Sequence, residues 1–122
     1  MGRILQIRVS AWTYDEDEVL QAWPKLCALV WSQLDQWGPV GMKRGVTELS
    51  GYLLDALRFS DLPEDVKKAM RPGAEKVAAV LESMRKALAD WDPRRANTLS
   101  DELEEALFEL EKEAPRELLE LK

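Results

Sequence analysis

Apolar residues recur at alternating intervals of four and three in the second half of the chain, and this spacing constrains the fold more than any other feature. The residues of the series are Val77, Leu81, Met84, Leu88 and Trp91. Residues at such intervals lie on one face of an α-helix, so the pattern predicts a helix over residues 73–91. A helix with one apolar face needs other elements to cover that face.

Similar series predict four more helical segments, and prolines mark several of their ends. The segments are 15–37, 46–60, 62–70 and the acidic segment 99–114. Pro24 lies inside the first segment, where its missing N–H removes one helical hydrogen bond, so we expect a kinked helix or a new helix start there. Residues 71–73 are predicted to separate 62–70 from 73–91, and residues 92–93 to end the latter.

Residues 3–11 follow a different period and predict a β-strand. Leu5, Ile7 and Val9 alternate with a polar series consisting of Gln6, Arg8 and Ser10. Such alternation is typical of a strand with one buried face. The strand is predicted to be the only clear one in the chain, because the single internal candidate partner, residues 40–46, is short and glycine-rich.

An unpaired strand requires a partner, because each buried N–H or C=O group without a hydrogen bond costs about 1–3 kcal/mol. A second copy of the same strand across a two-fold axis would satisfy both copies at once. The predicted fold is therefore mainly α: a single-domain bundle of four to five helices over residues 1–122, with one N-terminal strand that pairs between subunits. A chain of this length is a typical single domain.

The net charge of −6 comes from one end of the chain. The last 22 residues carry nine acidic and three basic residues, whereas the first 100 residues carry 14 of each. The chain as a whole therefore lacks the basic surface that attracts nucleic acid, which remains possible as a partner but is not favoured.

Residue types that carry common catalytic chemistry are scarce. The chain has no histidine, which removes the commonest general base and transition-metal ligand. Cys27 is the only cysteine, and its place beside an apolar series predicts a small buried side chain. Glu102 and Glu105 are spaced so that they could share a magnesium ion, but no acidic pair on another helix is predicted to complete the site. We predict no catalytic residue, no cofactor and no metal ligand.

Five tryptophans are the most unusual feature of the composition. Trp23, Trp37 and Trp91 occupy positions in the apolar series and are predicted to lie in the core. Trp12 and Trp31 lie off these series and are better candidates for a subunit or ligand contact. The predicted interface consists of Leu5, Ile7, Val9, Trp12 and Trp31.

The strand and the start of the following helix, about residues 3–20, resemble the N-terminal ribbon of ribbon–helix–helix repressors. In that family, alternate polar side chains of the strand contact bases in the DNA major groove. The resemblance implies that Gln6, Arg8 and Ser10 would read DNA here. The chain departs from the family at Trp23-Pro24, where the family has a glycine-containing turn.

These observations lead to one preferred function and two alternatives. The preferred function is a non-enzymatic helical protein that acts as a homodimer or as a protein-interaction module. The first alternative is a ribbon–helix–helix-like DNA-binding transcriptional regulator, and the second is an enzyme that uses carboxylates and a metal. We expect a cytoplasmic location, because no signal peptide and no membrane-spanning apolar run is evident.

Overall fold

The computed structural model describes residues 11, 13, 15–37 and 43–120, and within these ranges the chain is mainly α-helical. The elements are α1 (Glu16–Ala22), α2 (Pro24–Trp37), α3 (Val46–Phe59), α4 (Glu64–Ala89), α5 (Pro93–Glu113) and the short 3-10 helix η1 (Arg116–Glu120). The predicted mainly α class is confirmed. None of these helices is long and apolar enough to cross a membrane.

Each long helix packs against the next one along the chain, α2 on α3, α3 on α4 and α4 on α5, and η1 packs on α2. The apolar series face inward and form one core. Its largest fully buried side chains include Leu26, Leu29, Leu49, Leu53, Met70, Leu103, Leu107, Leu110 and Leu118. Leucine dominates because its unbranched Cβ suits a helix and its side chain fills the space between helices.

The first predicted helix is divided at Trp23. The N–H of Trp23 still donates to the carbonyl of Val19 at 3.0 Å, but its φ of −131° and ψ of 62° are not helical. Pro24 is then the first residue of α2, where an N–H would have no helical partner in any case. Of the two outcomes expected at Pro24, the structure has the new helix start.

Helix α4 runs without interruption through residues 71–73, where the sequence predicts a break. Pro72 and Lys68 are both exposed, so water can bond the Lys68 carbonyl that loses its helical N–H. Gly73 lies against α5, and a Cβ there would stand 2.8 Å from Cδ1 of Leu110. Packing against α5 keeps this segment helical despite its poor local propensity.

Helix α5 begins at Pro93, six residues before the predicted start at residue 99. Asp92 caps it, since its Oδ1 accepts the N–H of Arg95 at 3.1 Å. Pro93 follows at the first helical position, where proline is favoured. The pair Asp92-Pro93 therefore lies just after the end of α4 and forms the start of α5.

The predicted strand lies almost wholly outside the described residues. Ala11 belongs to neither a helix nor a strand, and no strand occurs in the part of the chain that the structure describes. Strand pairing stays a prediction. The predicted residues outside the description are Leu5, Gln6, Ile7, Arg8, Val9, Ser10 and Trp12, together with the side chain of Trp37.

Candidate functional site

Trp31 is the one predicted interface residue that the structure describes. It lies in α2, is 6% exposed and belongs to the core. The guanidinium carbon of Arg44 stands 5.5 Å from the centre of its ring, a cation–π contact. The chain itself thus covers most of this ring, and a partner contact at Trp31 stays a prediction.

Arg44 joins three parts of the chain beside Trp31. Its Nη2 lies 2.5 Å from Oδ1 of Asp35 in α2, and its backbone N–H donates to the carboxylate of Glu16 in α1. Both side chains of the Arg44–Asp35 ion pair are about half exposed, so this pair stabilises the fold by at most about 1 kcal/mol. The arrangement is a structural tie between α1, α2 and the residues before α3.

The start of α3 is capped from a distance. Oγ1 of Thr13 accepts the N–H of Val46 at 2.7 Å, and Oε1 of Glu48 accepts the N–H of Gly45 at 3.1 Å. A Cβ at Gly45 would lie 2.4 Å from Oγ1 of Thr13, so glycine at this position is what allows the threonine to approach. The hydroxyl of Thr13 replaces the side-chain cap that glycine lacks.

A pocket of about 360 Å³ lies beside this cap. Its lining residues are Ala11, Thr13, Glu16, Lys43, Gly45, Thr47 and Glu48. The two carboxylates in it accept bonds within the protein, since Glu16 accepts from Arg44 and Glu48 accepts from Gly45 and from the hydroxyl of Thr47. The polar groups of the pocket thus hold helix ends together.

Cys27 is completely buried in α2, as the sequence predicts. Its Sγ lies 3.7 Å from the carbonyl oxygen of Val19. Burial raises the pKa of Cys27 to about 11, so the side chain is a neutral thiol at physiological pH. A protonated, inaccessible thiol is a poor nucleophile.

Among the described residues, no three metal-ligating side chains are grouped closely enough to bind a metal ion. Glu102 and Glu105, the spaced pair noted in the sequence, lie on the exposed side of α5, where they border a shallow pocket with Lys76. A nearby ammonium group competes with a bound cation. Asp101 borders the same pocket, but these carboxylates are not grouped closely enough to share a metal ion.

Glu111 links the end of α5 to the start of α2. Its two carboxylate oxygens accept the N–H groups of Lys25 and Leu26 at 3.1 and 3.0 Å. The Nζ of Lys25 donates in return to the carbonyl of Ala114 at 2.7 Å. A carboxylate at the positive end of a helix dipole is favourable, so this contact orients α2 against α5.

Trp23 belongs to the core, as predicted, and lies at the same junction. Its ring packs on Phe108 of α5 with ring centres 5.1 Å apart and planes inclined by 54°. Phe108 itself remains 44% exposed. One edge of this aromatic pair therefore reaches the surface of α5.

Trp91 is also predicted to lie in the core, and this prediction is wrong because its side chain is 59% exposed. Helix α4 ends at Ala89, so the helical periodicity that would turn position 91 inward no longer applies there. Trp91 instead occupies the tip of the α4–α5 hairpin, which we define as residues 90–95. Its backbone has a φ of 59°, in the left-handed region.

The hydrogen bonds of the hairpin tip fix this conformation. The N–H of Trp91 donates to the carbonyl of Leu88 at 3.1 Å, and that of Asp92 donates to the carbonyl of Ala87 at 2.9 Å. This is the Schellman motif, in which the left-handed position is usually glycine. An L-residue there costs about 1–2 kcal/mol, and a bulky residue is rare.

The hairpin tip is the surface that sequence reasoning missed. The sequence feature that could have predicted it is the pair Asp92-Pro93, because aspartate is a common helix N-cap and proline is favoured at the first helical position. That assignment places Trp91 in a turn of three residues between two helices, where helical periodicity does not turn it inward. The rim of the tip is charged, with Asp90, Arg94 and Arg95 all exposed.

Comparison with protein-family models, with curated proteins and with solved structures gives no match. The function is therefore inferred from the residues alone.

Proposed function

We propose that this protein is a non-enzymatic helical interaction module whose docking element is the tip of the α4–α5 hairpin, with Trp91 as its anchor. The observation that carries the proposal is the combination of exposure and backbone strain at Trp91. Backbone strain of this kind clusters at functional sites, and tryptophan is enriched among the residues that dominate binding energy at protein interfaces.

The rigidity of the hairpin tip supports a binding role. The Schellman bonds hold Trp91 from α4, and the Asp92 cap holds the same turn from α5. A side chain on a fixed backbone loses less conformational entropy when it binds than one on a mobile loop. The tip therefore presents a large ring on a backbone that hydrogen bonds hold in place.

Four of the partly or fully buried or helix-end polar groups are used by the fold, which is consistent with a non-enzymatic function. Cys27 is a buried thiol, and Glu16, Glu48 and Glu111 accept backbone N–H bonds at helix ends. A general base needs a carboxylate that is free to take a proton from a substrate. These three carboxylates serve the fold instead.

The same function includes a second contact, in which the predicted strand at residues 3–11 pairs with that of another copy. The capping bond from Thr13 to α3 supports this part of the proposal, because it ties the end of the N-terminal segment to the helical body. A ribbon formed by two such strands would then be held close to both bodies. Ile7→Asp, which places a charge on the apolar face of the strand, is expected to abolish this pairing.

The experiment compares the wild-type protein with Trp91→Gly and with Phe59→Ala. Glycine suits the backbone at position 91, so this variant keeps the fold and loses the ring. Phe59 is a matched control, because its side chain is 66% exposed but its backbone is helical. Sedimentation velocity across micromolar concentrations tests self-association, and quantitative capture from extract of the source cells tests other partners.

The proposal expects a complex, of the protein with itself or with another protein, that Trp91→Gly weakens at least about tenfold and Phe59→Ala leaves unchanged. Equal binding by the wild type and Trp91→Gly in both measurements would overturn it. A complex that Ile7→Asp alone removes would assign the function to the strand and not to the hairpin tip.

A further inference from the structure

Most charges near the two ends of α5 are placed opposite to those that its own dipole favours. Arg94 and Arg95 lie at its start, where the first turn has no acidic residue, and Glu109 and Glu113 lie near its end. Anions stabilise the start of a helix and cations its end, so this order destabilises an isolated helix. Neither arginine forms an ion pair with any described residue. Within one chain only the Asp92 cap at the start and the Lys112–Glu109 ion pair near the end offset this order.

Five exposed residues of α5 lie at intervals of four and three, the spacing of a helix face that contacts another helix. We name them the outer face of α5: Arg94, Thr98, Asp101, Glu105 and Phe108. The inward face of the same helix, which includes Leu99, Leu103 and Leu107, packs in the core. Trp91 lies in the turn just before α5, so its exposed ring stands at the same end of the helix as Arg94.

We propose that the outer face of α5 binds the same face of a second copy of this chain, with the two helices antiparallel. A pair centred between residues 99 and 100 places Arg94 opposite Glu105 of the partner subunit, and it brings the hairpin tip that carries Trp91 to the end of the partner helix that carries Phe108. The two-fold axis repeats each contact. This proposal rests on the proposed function and names the partner as a second copy.

The antiparallel direction follows from the order of the charges. A parallel pair would place Arg94 and Arg95 against the same residues of the partner, and the acidic half of α5 against itself. An antiparallel pair places the basic start of each helix against the acidic part of the other, and it opposes the two helix dipoles. Charge complementarity therefore selects one direction of packing.

The size of the surface sets the strength of the complex. Helix α5 has 21 residues and is about 31 Å long, so a single helix pair buries less than the ~1,000 Å² of a stable interface. Contacts between Trp91 and Phe108 at both ends would add to this burial, because aromatic pairs contribute more than their buried area. A reversible dimer at micromolar concentrations is expected.

Cross-linking tests the predicted register directly. Thr98→Cys and Asp101→Cys are made in separate full-length chains, which are mixed and oxidised at micromolar concentration. The antiparallel pair places position 98 opposite position 101 of the partner subunit, so the mixture is expected to form a disulfide-linked heterodimer. The native Cys27 does not interfere, because its thiol is completely buried. The off-register mixture of Thr98→Cys with Glu113→Cys is the matched control and is expected to give at least about tenfold less heterodimer.

Charge reversal then tests the contact that determines the direction. Arg94→Glu in the Thr98→Cys chain faces Glu105 of the partner subunit, and the expected yield of heterodimer falls about tenfold. Adding Glu105→Arg to the Asp101→Cys chain restores the attraction at that contact and the yield. As a control, reversing the charges of Arg71 and Glu75, two exposed residues of α4, is expected to leave the yield of heterodimer unchanged.

Equal cross-linking by the on-register and off-register mixtures, or no rescue by the second reversal, would overturn the α5 dimer. The proposed function would survive that result if Trp91→Gly still weakened a complex. Loss of both effects would overturn both proposals.

Discussion

Replacement of Trp91 by glycine is expected to give a more stable protein than its replacement by alanine, which is the reverse of the usual order in helices. Both substitutions remove the indole ring, so the contacts that the ring makes cancel in the comparison. What remains is the backbone at position 91, with its φ of 59°. The difference between the two variants therefore measures the strain directly.

The magnitude follows from two opposing terms. A Cβ in the left-handed region costs about 1–2 kcal/mol, which glycine avoids. The unfolded chain gains about 0.4–1 kcal/mol of conformational freedom from glycine, which opposes this advantage. The net expectation is about 1 kcal/mol in favour of Trp91→Gly, or about 4 °C in Tm for a chain of this length.

Urea denaturation followed by circular dichroism measures the difference, and Gly51 provides the matched control. Gly51 lies inside α3, where a Cβ would stand 3.5 Å from Nη2 of Arg85 and 3.8 Å from Cδ2 of Leu81, both ordinary contacts. Gly51→Ala is therefore expected to stabilise the protein by about 1 kcal/mol. The alanine–glycine difference thus has opposite signs at positions 91 and 51.

Equal stability of the two Trp91 variants, or greater stability of Trp91→Ala, would show that position 91 is not held in the left-handed region. The proposed anchor would then lose the strain on which it rests.

Two further predictions concern the start of α2. Glu111→Gln removes the charge that caps the N–H groups of Lys25 and Leu26, so it is expected to lower the free energy of unfolding by about 1–2 kcal/mol. The control Glu113→Gln, at an exposed position, is expected to change the free energy of unfolding little. Equal effects of the two substitutions in urea denaturation would contradict the cap. Burial raises the pKa of Cys27 from 9.0 to about 11, so its stabilisation is complete below pH 9 and is lost as the pH rises to 11. Relative to Cys27→Ala, the unfolding constant of the wild type should increase about tenfold per pH unit in that window, and parallel pH profiles would refute this.

Several elements of the fold can be predicted from the residues because their causes are local. The series in α3 is predicted over 46–60, and the helix spans Val46–Phe59. A kink or a new helix start at Pro24 follows from the missing N–H of proline, and the burial of Cys27 from its place beside an apolar series. Each of these features depends on residues within about one helical turn.

The candidate site was not predictable in the same way. The apolar series from Val77 to Trp91 keeps the helical spacing up to its last residue. Trp91 faces outward only because α4 ends at Ala89. Trp31 lies off the stripe, but the side chain of Arg44 covers it. Spacing alone does not show where a helix ends or which distant side chain covers a ring.

The sequence itself determined which segments are helical, which helix faces are apolar and that Cys27 lies beside an apolar face, because neighbours within four residues set helical periodicity. The tertiary structure alone decided the caps that hold the helices together, since Glu111 reaches α2 across 85 residues and Thr13 reaches α3 across 33. It also decided that α4 continues through Pro72 and that Trp91 faces solvent. These outcomes depend on how much apolar surface each helix face buries, because the free energy of that burial is larger than the differences in helix propensity between residues.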